Sequence, residues 1–187
     1  MAICHTSLRH YAQAHESPSA VLRAMNAEMS AEMRKDMFIT LIYAVINEKK
    51  STITLARAGH ELPLVLQKGP SGDYLTTAID SEGMALGMVP CEIFDEVIED
   101  KTIPFGQGET LLLYTDGVTE TTNYDDEEYS ARRLQNLFKS LREESPERIN
   151  QEIFESLEQF KGDNHLQDDI TLVSVRYKPT VSNNEQT

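Results

Sequence analysis

The sequence predicts a layered α+β fold in which helices are segregated between antiparallel strands. Paired β-branched and aromatic runs at 37–46 and 51–58 have the layout of a hairpin, and residues 109–114 form a continuous apolar run. Helical periodicity at 129–142 and 146–160 then separates this run from a last strand. We expect one domain over residues 1–178 and a disordered polar tail over 179–187.

Two helices open the chain. The apolar spacing from Ala2 to about Gln13 suits a helix, although no capping residue precedes it. Ser17 and Pro18 then provide an N-cap followed by proline at the first helical position, and apolar residues recur at helical spacing up to Met33. This pattern predicts a second helix that ends near Lys35.

The central segment predicts strands of different lengths. After the hairpin, 63–67 forms a short third strand, and 68–83 is rich in Gly, Ser, Asp and Thr, which favours an irregular loop. Residues 93–103 alternate loosely, whereas 109–114 (ETLLLY) is apolar throughout and predicts a strand buried on both faces. The closing run 169–177 alternates and predicts the last strand.

Composition limits the classes of function. Hydrophobic residues make up 40% and charged residues 26% of the chain, which is typical of a globular protein. Neither a membrane-spanning run nor a signal peptide is visible, so we expect a cytoplasmic protein. Cys4 and Cys91 have no metal-ligand spacing, and a net charge of -14 argues against nucleic acid as a partner.

Acidic residues stand at the ends of two predicted strands. Asp116 and Gly117 follow the buried run 109–114, and glycine allows the sharp turn that directs a carboxylate into a cavity. Asp168 and Asp169 come at the start of the last strand, where adjacent residues point to opposite faces, so at most one of them shares a pocket with Asp116.

Such carboxylates suit Mg²⁺ or Mn²⁺, which take oxygen ligands and keep several waters. Two such ions can activate a bridging water and hold a phosphoryl group during in-line displacement, which is phosphatase chemistry. The alternative interpretation is structural: Asp116 and Gly117 form an ordinary turn, and Asp168 caps an element. These pairs of residues do not by themselves decide between the two interpretations.

A longer pattern favours the catalytic interpretation. The segments MFITLIYAVI, ARAGHELPLVL, SEGMALGMVP, ETLLLYTDGVTET and QDDITLVSVRY occur in this order over nearly all of residues 2–177. In this pattern the chain resembles the metal-dependent (PPM) protein serine/threonine phosphatases of the SpoIIE/RsbU-like branch. The resemblance implies an α-β-β-α sandwich of antiparallel sheets flanked by helices. It also implies hydrolysis of phosphoserine or phosphothreonine by a metal-activated water.

The resemblance assigns the site residues. Asp116 matches the metal-binding aspartate of the Thr-Asp-Gly motif, and Asp168 and Asp169 match the paired acids before the final strand. We therefore expect Asp116 and Asp168 to be catalytic, Asp168 to be the direct ligand of its pair, and Asp169 to bind the metal or support Asp168. Gly117 would let the backbone approach the water held by Mn²⁺ or Mg²⁺.

One family motif is missing from the 187 residues. In the family, an Asp-x-Ser-Gly-His-Gly turn carries the aspartate that bridges the two metals, and Asp36, Asp73 and Asp80 stand in other contexts. We therefore expect an N-terminally truncated domain: either a fragment or misassigned start of a longer phosphatase, or a natural variant that lost full metal binding. The chain as given should be weakly active or inactive.

Three other groups of residues suggest functions that we rank below structural roles. His60 matches the Ala-Gly-His of the family, but it suits a hydrogen-bonding anchor of a turn. Met25, Met29 and Met33 have the spacing of a core face, and Arg132 and Arg133 suit a solvated helix surface, although they could assist phosphate binding.

The resemblance also indicates partners. The expected substrate is a phosphorylated regulatory protein of the anti-sigma-factor antagonist class in partner-switching signalling. Alternatives are a catalytically dead, phosphatase-like module that binds such a partner, or a two-metal hydrolase of small phosphoesters. Unpaired sheet edges should favour a homodimer or larger self-association.

Overall fold

The computed structural model describes residues 2–34 and 36–178, so the predicted tail at 179–187 and the expected helix end at Lys35 lie outside the described residues. The chain divides into two compact units. The described residues within Met1–Leu62 and Ile79–Pro104 form unit 1, and those within Pro63–Ala78 and Phe105–Thr187 form unit 2.

Unit 1 combines three helices with a three-stranded antiparallel sheet. Strand β2 lies at the centre of this sheet, with β1 and β5 on its two sides, and the β1–β2 hairpin pairs Leu41 with Ala58 and Asn47 with Thr52. The predicted hairpin is therefore confirmed. The elements are α1 (Ala2–Ala14), α2 (Pro18–Glu32), β1 (Leu41–Asn47), β2 (Thr52–Ala58), α3 (Cys91–Val97) and β5 (Lys101–Pro104).

Helix α2 begins where the sequence predicts. The Ser17 side chain accepts a hydrogen bond from the Ala20 backbone N–H, and Pro18 occupies the first turn. Its Val21, Leu22 and Met25 pack in a cluster with residues of β2 and α3, and Met29 is also buried, as the spacing of the methionines indicates. The helix ends at Glu32.

Unit 2 is built on a four-stranded antiparallel sheet in the order β4-β3-β6-β7. Strand β6 lies inside the sheet between β3 and β7, and Leu111, Leu112 and Tyr114 are buried, which confirms the strand predicted at 109–114. The elements are β3 (Leu64–Lys68), β4 (Tyr74–Ala78), β6 (Thr110–Tyr114), α4 (Asp116–Thr119), α5 (Ala131–Ser140), α6 (Pro146–Lys161) and β7 (Leu172–Arg176).

Helices α5 and α6 cover this sheet through one apolar cluster. Leu134 and Phe138 of α5 and Ile153 and Leu157 of α6 are fully buried there, together with Leu112 of β6. The Ser145 side chain caps α6 by accepting from the Arg148 N–H. The α+β prediction, with antiparallel sheets and segregated helices, is confirmed.

Three local predictions are wrong. Residues 68–83 are not one loop, because Tyr74–Ala78 pairs with β3 as strand β4. The loosely alternating stretch 93–103 divides into helix α3, which buries Phe94, and the short strand β5. The last strand begins at Leu172 rather than Asp169, because the chain bends at 167–168 before it joins the sheet.

Candidate metal centre

Strand β6 brings Asp116 to the end of the sheet in unit 2. Its last residue, Tyr114, pairs with Leu172 of β7, and the chain then passes through Thr115 into the four-residue helix α4, which Asp116 opens. Gly117 and Val118 are buried under this turn, whereas Asp116 itself is exposed. A buried strand thus ends in a carboxylate that water and ions can reach.

Hydrogen bonds join this strand end to the segment that carries the paired acids. The Thr115 N–H donates to the Thr171 carbonyl at 3.2 Å. The Thr115 hydroxyl donates to the Asp169 carbonyl at 3.0 Å and accepts from the Thr171 N–H at 2.9 Å. Thr115 therefore holds the backbone at 169–171 beside Asp116.

Gly117 packs closely against the segment that carries the paired acids. A Cβ placed on Gly117 would lie 2.6 Å from the Asp169 carbonyl oxygen and 3.4 Å from that of Asp168. The structure thus brings the backbone of Gly117 against that of Asp168 and Asp169. The glycine is needed here for space, since no side chain fits between the two backbones.

The carboxylates of Asp116 and Asp168 are oriented by neighbouring backbone N–H groups. The Gly117 N–H donates to Asp116 Oδ1 at 2.9 Å, and the Asp169 N–H donates to Asp168 Oδ1 at 2.7 Å. Both aspartates are exposed, and so is Asp169. Asp168 and Asp169 precede β7, so the strand alternation that we used to separate their directions does not apply to them.

Residues that sequence reasoning missed hold the bend at 167–168 in place. The Thr122 hydroxyl accepts from the Gln167 side-chain amide at 3.2 Å, and its carbonyl accepts from the Asn164 amide at 3.4 Å. The Thr121 hydroxyl donates to the Gly117 carbonyl at 2.6 Å. The signal for these residues in the sequence is the group of threonines that follows Asp116.

The donor set suits a hard cation that keeps most of its water. Asp116, Asp168 and Asp169 offer only oxygen ligands, which Mg²⁺ and Mn²⁺ prefer. Among residues 2–34 and 36–178, however, no three His, Cys, Asp or Glu side chains are grouped so that they could hold a metal ion. The three aspartates thus supply suitable donor atoms, but they do not form a three-ligand group in this structure.

The other candidate residues have structural contacts. The His60 ring nitrogen Nδ1 lies 3.1 Å from the Thr40 hydroxyl, and the His60 carbonyl accepts from Arg57 Nη1 at 2.8 Å. These contacts, within unit 1, are those of an anchor for the turn that follows β2. Arg132 and Arg133 are exposed on α5, as a solvated helix surface requires.

No helix in the part of the chain that the structure describes has both the length and the apolar character to cross a bilayer.

Comparisons with known proteins find a family, relatives and solved structures that are similar to this chain. The profile of stage II sporulation protein E (SpoIIE) matches residues 1–178. The phosphoserine phosphatase RsbU of Bacillus subtilis (strain 168) is 29% identical over 164 residues, which cover 86% of this chain and 45% of RsbU. The chain thus spans less than half the length of that relative.

Solved structures share the fold at low identity. The SiaA-PP2C domain of Pseudomonas aeruginosa aligns with a TM-score of 0.78 at 16% identity, over 94% of this chain and 68% of that chain. The manganese-presoaked phosphatase domain of SpoIIE from Bacillus subtilis aligns with a TM-score of 0.62 at 16% identity, over 94% and 75%. At this identity the similarity is one of fold.

Proposed function

Since the chain belongs to the SpoIIE family, whose profile matches residues 1–178, we propose that it acts in removing phosphate from a phosphorylated bacterial regulatory protein. The target would be phosphoserine or phosphothreonine on a cytoplasmic protein of the anti-sigma-factor antagonist class. The similarity to a phosphoserine phosphatase supports this choice of substrate. The observation that carries the proposal is the approach of Asp116 and Gly117 to Asp168 and Asp169.

Each residue has a distinct role in this proposal. Asp116 and Asp168 are the catalytic carboxylates that would hold Mn²⁺ or Mg²⁺, and Asp169 binds the ion as well or supports Asp168 from the adjoining position. When bound, the cation would supply an activated water and would neutralise charge on the phosphoryl group. Gly117 leaves room for both segments, and Thr115 keeps them in register. The manganese-presoaked relative supports the choice of cation.

We also propose that this polypeptide alone turns over weakly or not at all. Its 187 residues contain no Asp-x-Ser-Gly-His-Gly motif, and the described residues contain no group of three ligands. With fewer carboxylates, two cations would repel each other with less compensation. The same observation favours a second candidate, a phosphatase-like module that binds the phosphorylated partner without hydrolysing it.

Manganese titration by calorimetry tests the proposal. We expect Asp116→Asn and Asp168→Asn to weaken Mn²⁺ binding at least tenfold, because even partners outside the ligand shell contribute about 10–100-fold in affinity. Asp169→Asn should have a smaller effect. The matched control is Asp73→Asn, which removes the same charge in the β3–β4 turn of unit 2 and should leave the affinity unchanged.

Two outcomes separate the candidates. If the Asp116 and Asp168 variants bind Mn²⁺ as Asp73→Asn does, the metal site is wrong and the binding module is favoured. Phosphate release from a phosphoserine peptide in excess Mn²⁺ tests turnover directly. Fast release that Asp116→Asn abolishes would contradict the proposal of weak activity and would support the enzyme.

Self-association is part of the proposal because β1 is an edge strand of the unit 1 sheet. Its residues Val45 and Ile46 are exposed, and an exposed apolar edge can pair with a second chain. We expect light scattering to show a dimer or larger assembly, and replacing Val45 and Ile46 with lysine should shift the chain towards monomer. A clean monomer for the unmodified chain would contradict this expectation.

A further inference from the structure

Two arginine side chains of unit 2 have no ion pair or hydrogen bond among the described residues. Arg132 and Arg133 lie in the first turn of α5, and both are exposed. Neither side chain forms an ion pair or hydrogen bond with any residue in 2–34 or 36–178. With Ser130 and Asn136 they line an open cavity of about 380 Å³. We call Arg132 and Arg133 the arginine pair.

The arginine pair does not stabilise its own helix. The first turn of a helix carries partial positive charge and favours anions, yet α5 has no acidic residue there. Two cations at this position therefore oppose the helix dipole, and no acidic side chain of the described residues forms an ion pair with them. Residues that are unfavourable for their own helix, as these arginines are, are expected where the side chains serve binding.

Aromatic rings hold Arg133 in a fixed orientation. Its guanidinium carbon lies 4.6 Å from the centre of the Phe160 ring and 5.8 Å from that of the Tyr129 ring. Tyr129 is fully buried, and its hydroxyl lies 2.8 Å from that of Ser156. Because the planar group is already oriented, binding an anion costs little side-chain entropy.

Hydrogen bonds connect the start of α5 to the end of α4. The Ser130 N–H donates to the Thr119 carbonyl at 2.9 Å, and the Tyr129 N–H donates to the Thr121 carbonyl at 2.8 Å. Helix α4 begins at Asp116 and ends at Thr119, a rise of roughly 4.5 Å. The start of α5, which carries the arginine pair, is therefore attached to the end of the short helix that Asp116 opens.

We propose that the arginine pair binds acidic residues that flank the phosphoserine of the substrate protein. This inference rests on the proposed function, in which the phosphoryl group itself goes to the Asp116 site. Guanidinium groups bind carboxylates through paired hydrogen bonds, which gives them a geometric preference for Asp and Glu. An acidic segment carries charge opposite to that of the arginine pair, whose side chains form no ion pair with the exposed acids at 125–128.

Fluorescence anisotropy with labelled peptides tests this inference. The probes are a phosphoserine peptide flanked by glutamates, the same peptide flanked by glutamines, and the unphosphorylated forms of both. We expect R132Q/R133Q to bind the glutamate-flanked phosphopeptide roughly tenfold more weakly than the unmodified chain, and the glutamine-flanked one equally well. The matched control is K68Q/K139Q, which makes the same change in charge at exposed positions of unit 2.

The single variant R132Q keeps the stacking of Arg133, so it tests the inference if the double variant does not fold; it should lose part of the preference for glutamate. Equal losses for both flanking sequences would assign the arginines to the phosphate and overturn the inference. Losses no larger than those of K68Q/K139Q would also overturn it.

Different results would contradict the proposed function and the proposed role of the arginine pair. If D116N leaves Mn²⁺ binding unchanged while the arginine variants still lose the glutamate preference, the enzyme assignment falls and the docking site stands. If D116N removes Mn²⁺ binding and the arginine variants have no effect, the docking site falls and the enzyme assignment stands.

Discussion

Gly83→Ala is expected to destabilise unit 1 by about 3 kcal/mol or more, one of the largest effects of a single methyl group in this chain. A Cβ at this position would overlap the Arg57 carbonyl oxygen and would lie 2.9 Å from the carbonyl carbon. Both are backbone atoms of β2, which is held at Arg57 by its pairing with Ile42 of β1, so the strand resists the movement that the new methyl group would require.

The contacts around Gly83 increase the expected destabilisation. The Arg57 side chain donates to the Ser81 carbonyl at 2.7 Å and to the His60 carbonyl at 2.8 Å, so a shift of β2 also strains these links. Ile98, which is buried, lies 3.0 Å from the added Cβ. The added methyl group thus meets β2 on one side and the buried Ile98 side chain on another.

Urea unfolding followed by circular dichroism measures the change, since the chain has no tryptophan to report it by fluorescence. The matched control is Glu82→Ala, at the exposed neighbouring position, which should change the free energy of unfolding by less than about 0.5 kcal/mol. A loss below about 1 kcal/mol for Gly83→Ala would show that the backbones are not in contact.

Elements with a strong local signal were predicted from the sequence. Ser17 and Pro18 mark the start of α2, because helix N-caps favour particular residue types. The apolar run that ends at Tyr114 marks β6, because a strand buried on both faces needs apolar residues throughout. The β1–β2 hairpin followed from its two β-branched runs. These elements can be predicted without knowing which residues pack against them.

The missed elements depend on tertiary contacts. Strand β4 contains Tyr74 and two threonines, which favour strands, but the glycines and polar residues around it concealed the pattern. Helix α3 has no side-chain cap, and its burial of Phe94 becomes visible only in the folded unit. Propensity is a weak guide where packing decides the local structure.

In the candidate site, too, some features could be predicted from the sequence and others depend on the fold. Residue type and order identified Asp116, Asp168 and Asp169, but their proximity results from the pairing of β6 with β7. The roles of Thr115 and Thr122 could not be predicted, because a threonine that holds a bend has no pattern that distinguishes it from one on a strand surface. The arginine pair was read as a solvated surface, since the absence of partners is a property of the fold.

Gly117→Ala is expected to disrupt the candidate metal centre without removing any candidate ligand side chain. The new Cβ would lie 2.6 Å from the Asp169 carbonyl oxygen and 3.2 Å from its carbon, so the segment at 168–169 must move away from Asp116. This movement strains both hydrogen bonds of the Thr115 hydroxyl. We expect a loss of about 2 kcal/mol in stability.

The same variant should weaken Mn²⁺ binding at least tenfold, as losses of supporting contacts at metal sites commonly do. Gly106→Ala is the control within unit 2, because a Cβ there meets no atom closer than 4.0 Å; its stability and its Mn²⁺ affinity should both be unchanged. The two readouts have different meanings. If Gly117→Ala loses stability but binds Mn²⁺ normally, the approach of the two segments serves packing alone. A joint loss would mean that the cation depends on the distance between the ends of β6 and β7, as the proposed function requires.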